Sequence, residues 1–76
     1  MRLTYDPRAN VAYLSLRERR GDVETREVTP DVLVDVDEAG VCGIELLNAR
    51  EQLTGDGGRV VLVNEASGDE AALDVA

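Results

Sequence analysis

Two apolar runs on either side of an acidic turn constrain the fold of this chain more than any other feature of its sequence. In VLVDVDEAGVCGIELLNA, residues 32–49, the runs meet at residues 37–40, where Gly40 supplies the positive φ of a bulge after a type I turn. This turn predicts four cross-strand pairs: Asp37 with Val41, Val36 with Cys42, Val34 with Ile44 and Val32 with Leu46. A shift of one residue would place valines opposite Gly43 and Glu45, so the pattern predicts a β-hairpin with a single register.

The residues before this hairpin predict a further hairpin and a polar strand. In RLTYDPRANVAYLSLR two alternating runs flank a turn in which Asp6 stands first, Pro7 fits the second position and Asn10 tolerates a left-handed conformation. The stretch VETREV, residues 23–28, predicts a polar strand that is suited to the edge of a sheet.

The residues after the hairpin predict a short helix, a linker and one more strand. Asn48 fits the cap of the helix, and Glu51 stands three residues later, as in a capping box. The stretch TGDGG ends the helix, RVVLVNE (residues 59–65) reads as a strand, and residues 66–76 are expected to fray or to form a marginal helix. We therefore predict an α+β fold: a small antiparallel β-meander sheet, one short helix after the hairpin and an extra C-terminal strand. The predicted single globular domain spans residues 1–65, and a flexible acidic tail follows it.

Composition narrows the class of protein. A chain of 76 residues leaves roughly 40% of its unfolded-state surface exposed after folding, so association with a second copy is an expected route to stability. The 16 Asp and Glu residues against 8 Lys and Arg give a net charge of -8, which disfavours a nucleic-acid partner. Cys42 is the single cysteine, no secretory leader is recognisable, and no apolar run approaches the ~20 residues of a membrane span. We expect a soluble, cytoplasmic protein without a membrane partner.

The stretches YDPRANVAYLSL, VLVDVDEAG and GVCGIELLNA together resemble a small bacterial family, the domain of unknown function family 2283. The resemblance covers residues 1–53 and departs from the family pattern at Asn10, where the family usually carries Asp. It implies a small sheet followed by a helix, no assigned activity, and a hint of a role beside toxin genes. The residues that match the pattern are Tyr5, Asp6, Pro7, Tyr13, Asp35, Asp37, Gly40, Gly43, Ile44 and Glu45.

The residue types argue against most catalytic sites. Because the sequence contains no His and no Lys, a Ser or Cys nucleophile lacks its usual base. One Cys without His does not make an ordinary zinc site, and Cys42 is predicted to pack in the core as a small apolar residue. We therefore expect no enzymatic activity, no catalytic residue and no cofactor.

Three carboxylates on one face of the hairpin are the remaining candidates for chemistry. Asp35 and Glu45 are predicted to be diagonal neighbours ~7 Å apart, with Asp37 two residues along the same face. Such a set could bind Mg²⁺ or Ca²⁺, but acidic side chains also line solvated faces. We predict the solvated face, and a carboxylate-based metal-binding protein or enzyme is the alternative. Gly43, between these carboxylates, is predicted to let another backbone or the helix approach closely.

Three arginines in RERRGD form a local basic cluster. Arg17, Arg19 and Arg20 stand at a strand end and turn, where they could meet phosphate or an acidic partner. Because no aromatic residue lies near them in the sequence, we predict a solvated turn instead.

The sequence therefore indicates a non-enzymatic protein-interaction module. Four consecutive apolar residues predict an edge strand at or near a homodimer contact: Val60, Val61, Leu62 and Val63. The alternative is that this strand covers the core of its own chain. The negative net charge and the family resemblance together suggest an antitoxin-like protein that masks a basic protein partner.

Overall fold

Seven strands and one short helix account for most of the chain in the computed structural model, which describes residues 1–53, 55 and 57–74. The predicted α+β fold class is confirmed, because the strands form an antiparallel sheet with one helix and a C-terminal hairpin. The elements are β1 (Arg2–Asp6), β2 (Val11–Ser15), β3 (Glu24–Thr29), β4 (Val32–Asp37), β5 (Gly40–Leu47), α1 (Ala49–Leu53), β6 (Arg59–Val63) and β7 (Glu70–Asp74).

The main sheet has five strands in the order β1-β2-β5-β4-β3, and every neighbouring pair is antiparallel. Strands β3 to β5 form a meander, and the β1–β2 hairpin joins it because β2 pairs with β5. β5 is therefore the central strand, whereas β1 and β3 are the two edges of this sheet. The predicted edge position of the polar third strand is confirmed, since β3 is the last strand in the order of the sheet, and all six of its residues are exposed.

The predicted register of the central hairpin is confirmed in its middle and wrong near its turn. Val34 pairs with Ile44 as predicted, but Asp37 pairs with Gly40, which leaves a loop of two residues. The bulge therefore lies at Cys42, where the register shifts between Asp35 and Val36 of β4. Gly40 has the predicted positive φ, 116°. The other three predicted pairs divide in the same way: Val32 with Leu46 is confirmed, whereas Val36 with Cys42 and Asp37 with Val41 are wrong.

The helix begins at Ala49, but its cap is not the side chain that the sequence predicted. The Asn48 side-chain amide donates to Asp31 Oδ1 at 2.8 Å, so it does not close a capping box. Asn10, in the turn between β1 and β2, caps the helix instead: its Oδ1 accepts from the Arg50 backbone amide at 2.7 Å. Its Nδ2 donates to Glu51 Oε2 at 2.9 Å. Asn10 has the left-handed φ expected of it, 57°.

The C-terminal hairpin departs most from the sequence prediction. β6 is a strand as predicted, but it pairs with β7 in a separate two-stranded sheet and does not extend the main sheet. β7 lies at residues 70–74, for which the sequence predicted a flexible tail or a marginal helix. The turn explains the difference, because Asn64 Oδ1 accepts two backbone amides and Gly68 has a φ of 79°. Residue 65, the predicted domain end, lies in this turn, and residues 75 and 76 of the predicted tail lie outside the described residues.

The interior of the fold is thin. Among the described residues, the buried apolar side chains are small: Ala12, Cys42 and Ala49. The core position predicted for Cys42 is confirmed, because its side chain is 1% exposed. The valines of β4 are only half-buried, so much of the apolar side of the sheet lies near solvent.

Candidate functional site

The three carboxylates predicted on one hairpin face occupy unlike environments. Asp35 and Asp37 of β4 are buried, with exposed fractions of 8% and 7%, so the predicted solvated face is wrong for both. Glu45 of β5 is half-buried and pairs with Leu33 on one side and with Tyr13 on the other. A buried carboxylate needs hydrogen-bond donors, and neighbouring residues supply them to both Asp35 and Asp37.

Asp37 is held by donors from the loop between β2 and β3 and from its own turn. Arg17 donates through both terminal nitrogens to the two Asp37 oxygens, at 2.7 Å each. The backbone amides of Arg20 and Ala39 donate to the same carboxylate at 2.7 and 2.9 Å. The Arg17 guanidinium, together with these amides, holds the pKa of Asp37 well below its usual range. The bidentate pair attaches residues 16–23 to the tip of the central hairpin.

Asp35 is held by hydroxyl donors from two different strands. Thr25 on β3 donates to Oδ1 at 2.6 Å, and Tyr13 on β2 donates to Oδ2 at 2.6 Å. Arg19 lies 3.3 Å from Oδ2 and 6.0 Å from the centre of the Tyr13 ring. The Thr25 and Tyr13 hydrogen bonds lower the pKa of Asp35, and the Asp35 carboxylate raises the pKa of the Tyr13 phenol.

Gly43 makes the Tyr13 hydrogen bond possible. A Cβ atom at Gly43 would overlap the Tyr13 hydroxyl and lie 2.6 Å from its ring carbon Cζ. The predicted close approach at Gly43 is confirmed in kind, but the approaching group is the Tyr13 side chain, neither a backbone segment nor the helix. Tyr13 lies across β5 at this point and reaches Asp35 on β4.

This polar network is satisfied within the protein. Arg17 turns inward to Asp37, so the predicted solvated turn is wrong for this arginine, whereas Arg19 contacts Asp35 but keeps a side chain that is 58% exposed. Among the described residues, every buried side-chain nitrogen or oxygen has a hydrogen-bond partner. The same residues include no group of three or more His, Cys, Asp or Glu side chains placed to hold a metal ion. The network therefore ties β2, β3, β4 and the loop between β2 and β3 together, with its donors and acceptors already engaged.

An apolar groove lies between the C-terminal hairpin and the start of the chain. Its volume is about 400 Å³, and apolar side chains line it throughout. Leu62 on β6 and Leu73 on β7 are 73% and 71% exposed. The lining residues are Met1, Leu3, Leu14, Val60, Val61, Leu62, Ala71, Ala72 and Leu73.

Sequence reasoning found only part of this surface. The run at residues 60–63 pointed to β6, but Met1 and the residues of β7 were missed. The Asn64 and Gly68 turn signals and the apolar residues 71–73 were the pattern that predicts β7.

Comparisons with known proteins agree with the resemblance described above. A family model described as "Protein of unknown function (DUF2283)" matches residues 2–50, which span β1 to β5 and the first residues of α1. No curated protein and no solved structure gives a significant match. No helix in residues 1–53, 55 and 57–74 has the length and apolar character needed to cross a membrane. The C-terminal hairpin lies beyond the matched region.

Proposed function

The chain belongs to the DUF2283 family of proteins of unknown function, and we propose that it is a non-enzymatic protein-interaction module. It associates with a second copy through the C-terminal hairpin, defined here as β6, β7 and the turn between them. The residues that carry this contact are Val60, Val61, Leu62 and Val63.

The observation that carries the proposal is the exposure of apolar side chains on both faces of this hairpin. Leu62 and Leu73 lie on one face and Val61 and Val63 on the other, and each is more than two-fifths exposed. A two-stranded sheet is only marginally stable in water without a further surface to cover it. A second copy paired beside this hairpin would widen its sheet and bury part of these side chains against their counterparts.

The engagement of the buried carboxylates by neighbouring side chains supports a non-enzymatic role. Asp35 and Asp37 are the buried polar side chains, and their oxygens accept from Thr25, Tyr13 and Arg17. A substrate or a metal ion would have to displace these donors. A carboxylate-based metal site with Glu45 is therefore the weaker alternative.

Titration with Mg²⁺, Ca²⁺ and Mn²⁺ tests that alternative. A site that binds only the folded chain raises its melting temperature as the ion concentration increases. We expect no rise beyond that of a matched Na⁺ series at the same ionic strength. A saturating rise that disappears in Asp35→Asn would favour the metal-binding alternative.

A basic protein is a second candidate partner, in the manner of an antitoxin that masks a toxin. Arg17 and Arg19 pair with Asp37 and Asp35, so the net charge of -8 resides on the remaining residues. Such a surface attracts basic proteins with an affinity that falls as salt is added. Binding to a basic protein that is equally strong at high salt would argue against this candidate.

Sedimentation over a range of protein concentrations tests self-association. We expect dimers in the wild type and at least a tenfold weaker dimer in Leu62→Glu, because a carboxylate would enter the contact. Val28→Glu is the matched control, since Val28 is 61% exposed on β3, away from the hairpin. A wild-type chain that stays monomeric, or an Leu62→Glu variant that dimerises normally, would contradict the proposal.

A further inference from the structure

One edge of the two-stranded sheet remains open on β6. Its other edge pairs with β7 over five residue pairs, from Arg59 with Asp74 to Val63 with Glu70. No strand among the described residues pairs with the open edge. Its central residues, 60–63, are all apolar and contain neither Pro nor charge. An open apolar edge of this kind is a ready template for pairing with another strand.

The hydrogen bond at the end of the hairpin identifies which backbone groups face this edge. The Asn64 amide donates across the hairpin to the Asp69 carbonyl at 2.8 Å. Backbone groups alternate in direction along an antiparallel strand, so the amides and carbonyls of Arg59, Val61 and Val63 point away from β7. Three residues therefore present unpaired donors and acceptors at regular spacing.

Charge distinguishes β6 from β7 as the pairing edge. Two β7 strands paired about Ala72 would place Glu70 directly opposite Asp74, and like charges in that position are destabilising. Two β6 strands paired about Val61 place Arg59 opposite Val63. No like charges then face each other across the contact, because Arg59 is the one charged residue of β6.

The edges of the main sheet are less suited to this contact. β3 carries charged residues along its length and a register shift near Glu27, two features that block edge pairing. β1 is charged at both ends, Arg2 and Asp6, with Thr4 at its centre. β1 is thus the main rival edge.

We propose that two copies of the chain join by antiparallel pairing of their β6 strands, with the two-fold axis at Val61. This inference rests on the self-association proposed above and specifies its geometry. Val61 pairs with its counterpart and Arg59 with Val63 of the second copy, so three residue pairs each exchange two backbone hydrogen bonds. The result is one continuous four-stranded sheet, β7-β6-β6-β7.

Residue-resolved amide hydrogen exchange on the wild-type chain tests the geometry. We expect the Val61 and Val63 amides to exchange more slowly as protein concentration rises through the dimerisation range. The Ala72 amide faces the open edge of β7 by the same alternation, and its exchange rate should not change.

Matched proline variants give a second measurement. Proline removes one amide and is tolerated where that amide faces away from its strand partner. Val61→Pro should weaken the dimer at least tenfold, whereas Ala72→Pro should leave dimerisation within twofold of the wild type. Far-ultraviolet circular dichroism checks that both variants keep the fold.

The outcomes of the exchange and sedimentation measurements separate the β6 pairing from the self-association proposed above. A dimer whose Val61 and Val63 amides exchange at concentration-independent rates overturns the pairing and leaves the interaction module standing. Concentration-dependent protection at Ala72, or at Leu3 and Tyr5, whose amides point away from β2, instead places the contact on β7 or β1 and also overturns it. A chain that sediments as a monomer throughout overturns both proposals.

Discussion

Gly43 has a specific steric role at the scale of single residues. A Cβ there would overlap the Tyr13 hydroxyl, so Gly43→Ala should force the Tyr13 side chain away from Asp35. Because Asp35 is buried and charged, the lost hydrogen bond should lower the free energy of unfolding by about 1.5 to 3 kcal/mol. Chemical denaturation measures this loss.

The control for Gly43→Ala is Gly55→Ala. A Cβ at Gly55 would meet no other atom within 4 Å, so this variant should be close to neutral. A second readout is the titration of Tyr13, because the pKa of its phenol should fall back toward 10.0 when its hydroxyl no longer donates a hydrogen bond to Asp35. Equal stability of the two variants would show that Tyr13 moves aside without cost.

The pH dependence of stability should show the contribution of Asp35. Its pKa is lowered in the folded chain, so its stabilisation is present above the unfolded-state value of about 3.9 and is lost as pH falls through the folded-state value. Asp35→Asn cannot titrate at this position. We expect the melting-temperature difference between wild type and Asp35→Asn to be largest near pH 7 and to shrink below pH ~4. A difference that stays constant from pH 7 to pH 2 would contradict this assignment.

The burial of these carboxylates could not be predicted from the sequence, because their hydrogen-bond partners lie far away along the chain. Alternation along the strand correctly placed Asp35 and Asp37 on one face, because that depends only on the period of a strand. Their partners come from distant positions: Arg17 lies 20 residues from Asp37, and Tyr13 lies 22 residues from Asp35. A local sequence pattern does not predict which side chains of a loop point toward the interior.

At the scale of elements, the cap of α1 links the helix to the turn between β1 and β2. Asn10→Ala removes the acceptor for the Arg50 amide and the donor to Glu51. It also places alanine at a φ of 57°, a left-handed conformation that asparagine tolerates better than alanine. We expect the free energy of unfolding to fall by about 1 to 2 kcal/mol.

The companion variant Asn10→Asp separates the two contacts of this cap. Aspartate keeps an oxygen that can accept from the Arg50 amide but faces Glu51 with a like charge. Asn10→Asp should therefore be less stable than wild type at pH 7, and the added change Glu51→Gln should restore most of the loss. No recovery in the double variant would show that Glu51 does not take part in the cap.

Local patterns predicted the elements better than their connections. The alternation of the central hairpin predicted the pairing of Val34 with Ile44, and the acidic turn predicted the conformation of Gly40. The bulge at Cys42 was missed because it depends on the adjacent strand: the Cys42 carbonyl accepts from the Leu16 amide at 2.9 Å. β7 was missed because its acidic, alanine-rich sequence has weak strand propensity by itself.

At the scale of the whole molecule, the C-terminal hairpin should be separable from the rest of the fold. The main sheet pairs its five strands without β6 or β7, and the family match ends before both. Truncation after Gly58 should therefore keep the far-ultraviolet spectrum of the main sheet and abolish dimerisation. Light scattering and thermal melting measure the two effects.

The two opposite outcomes of truncation have distinct meanings. A truncated chain that remains a dimer with unchanged stability would remove the hairpin from the contact. A truncated chain that unfolds would mean that the hairpin covers the core of its own chain, the alternative predicted from the sequence.

The central position of β5 has a consequence for how the chain acquires its fold during translation. β2 completes at Ser15, but its partner β5 ends at Leu47, so ribosomes extending a chain at 5–20 residues per second separate the two by about 2 to 6 s. During that interval β1 and β2 can form only an isolated hairpin, which is marginally stable. The edge of β2 that faces β5 therefore has no partner in the nascent chain until β5, the last strand of the main sheet, has been synthesised.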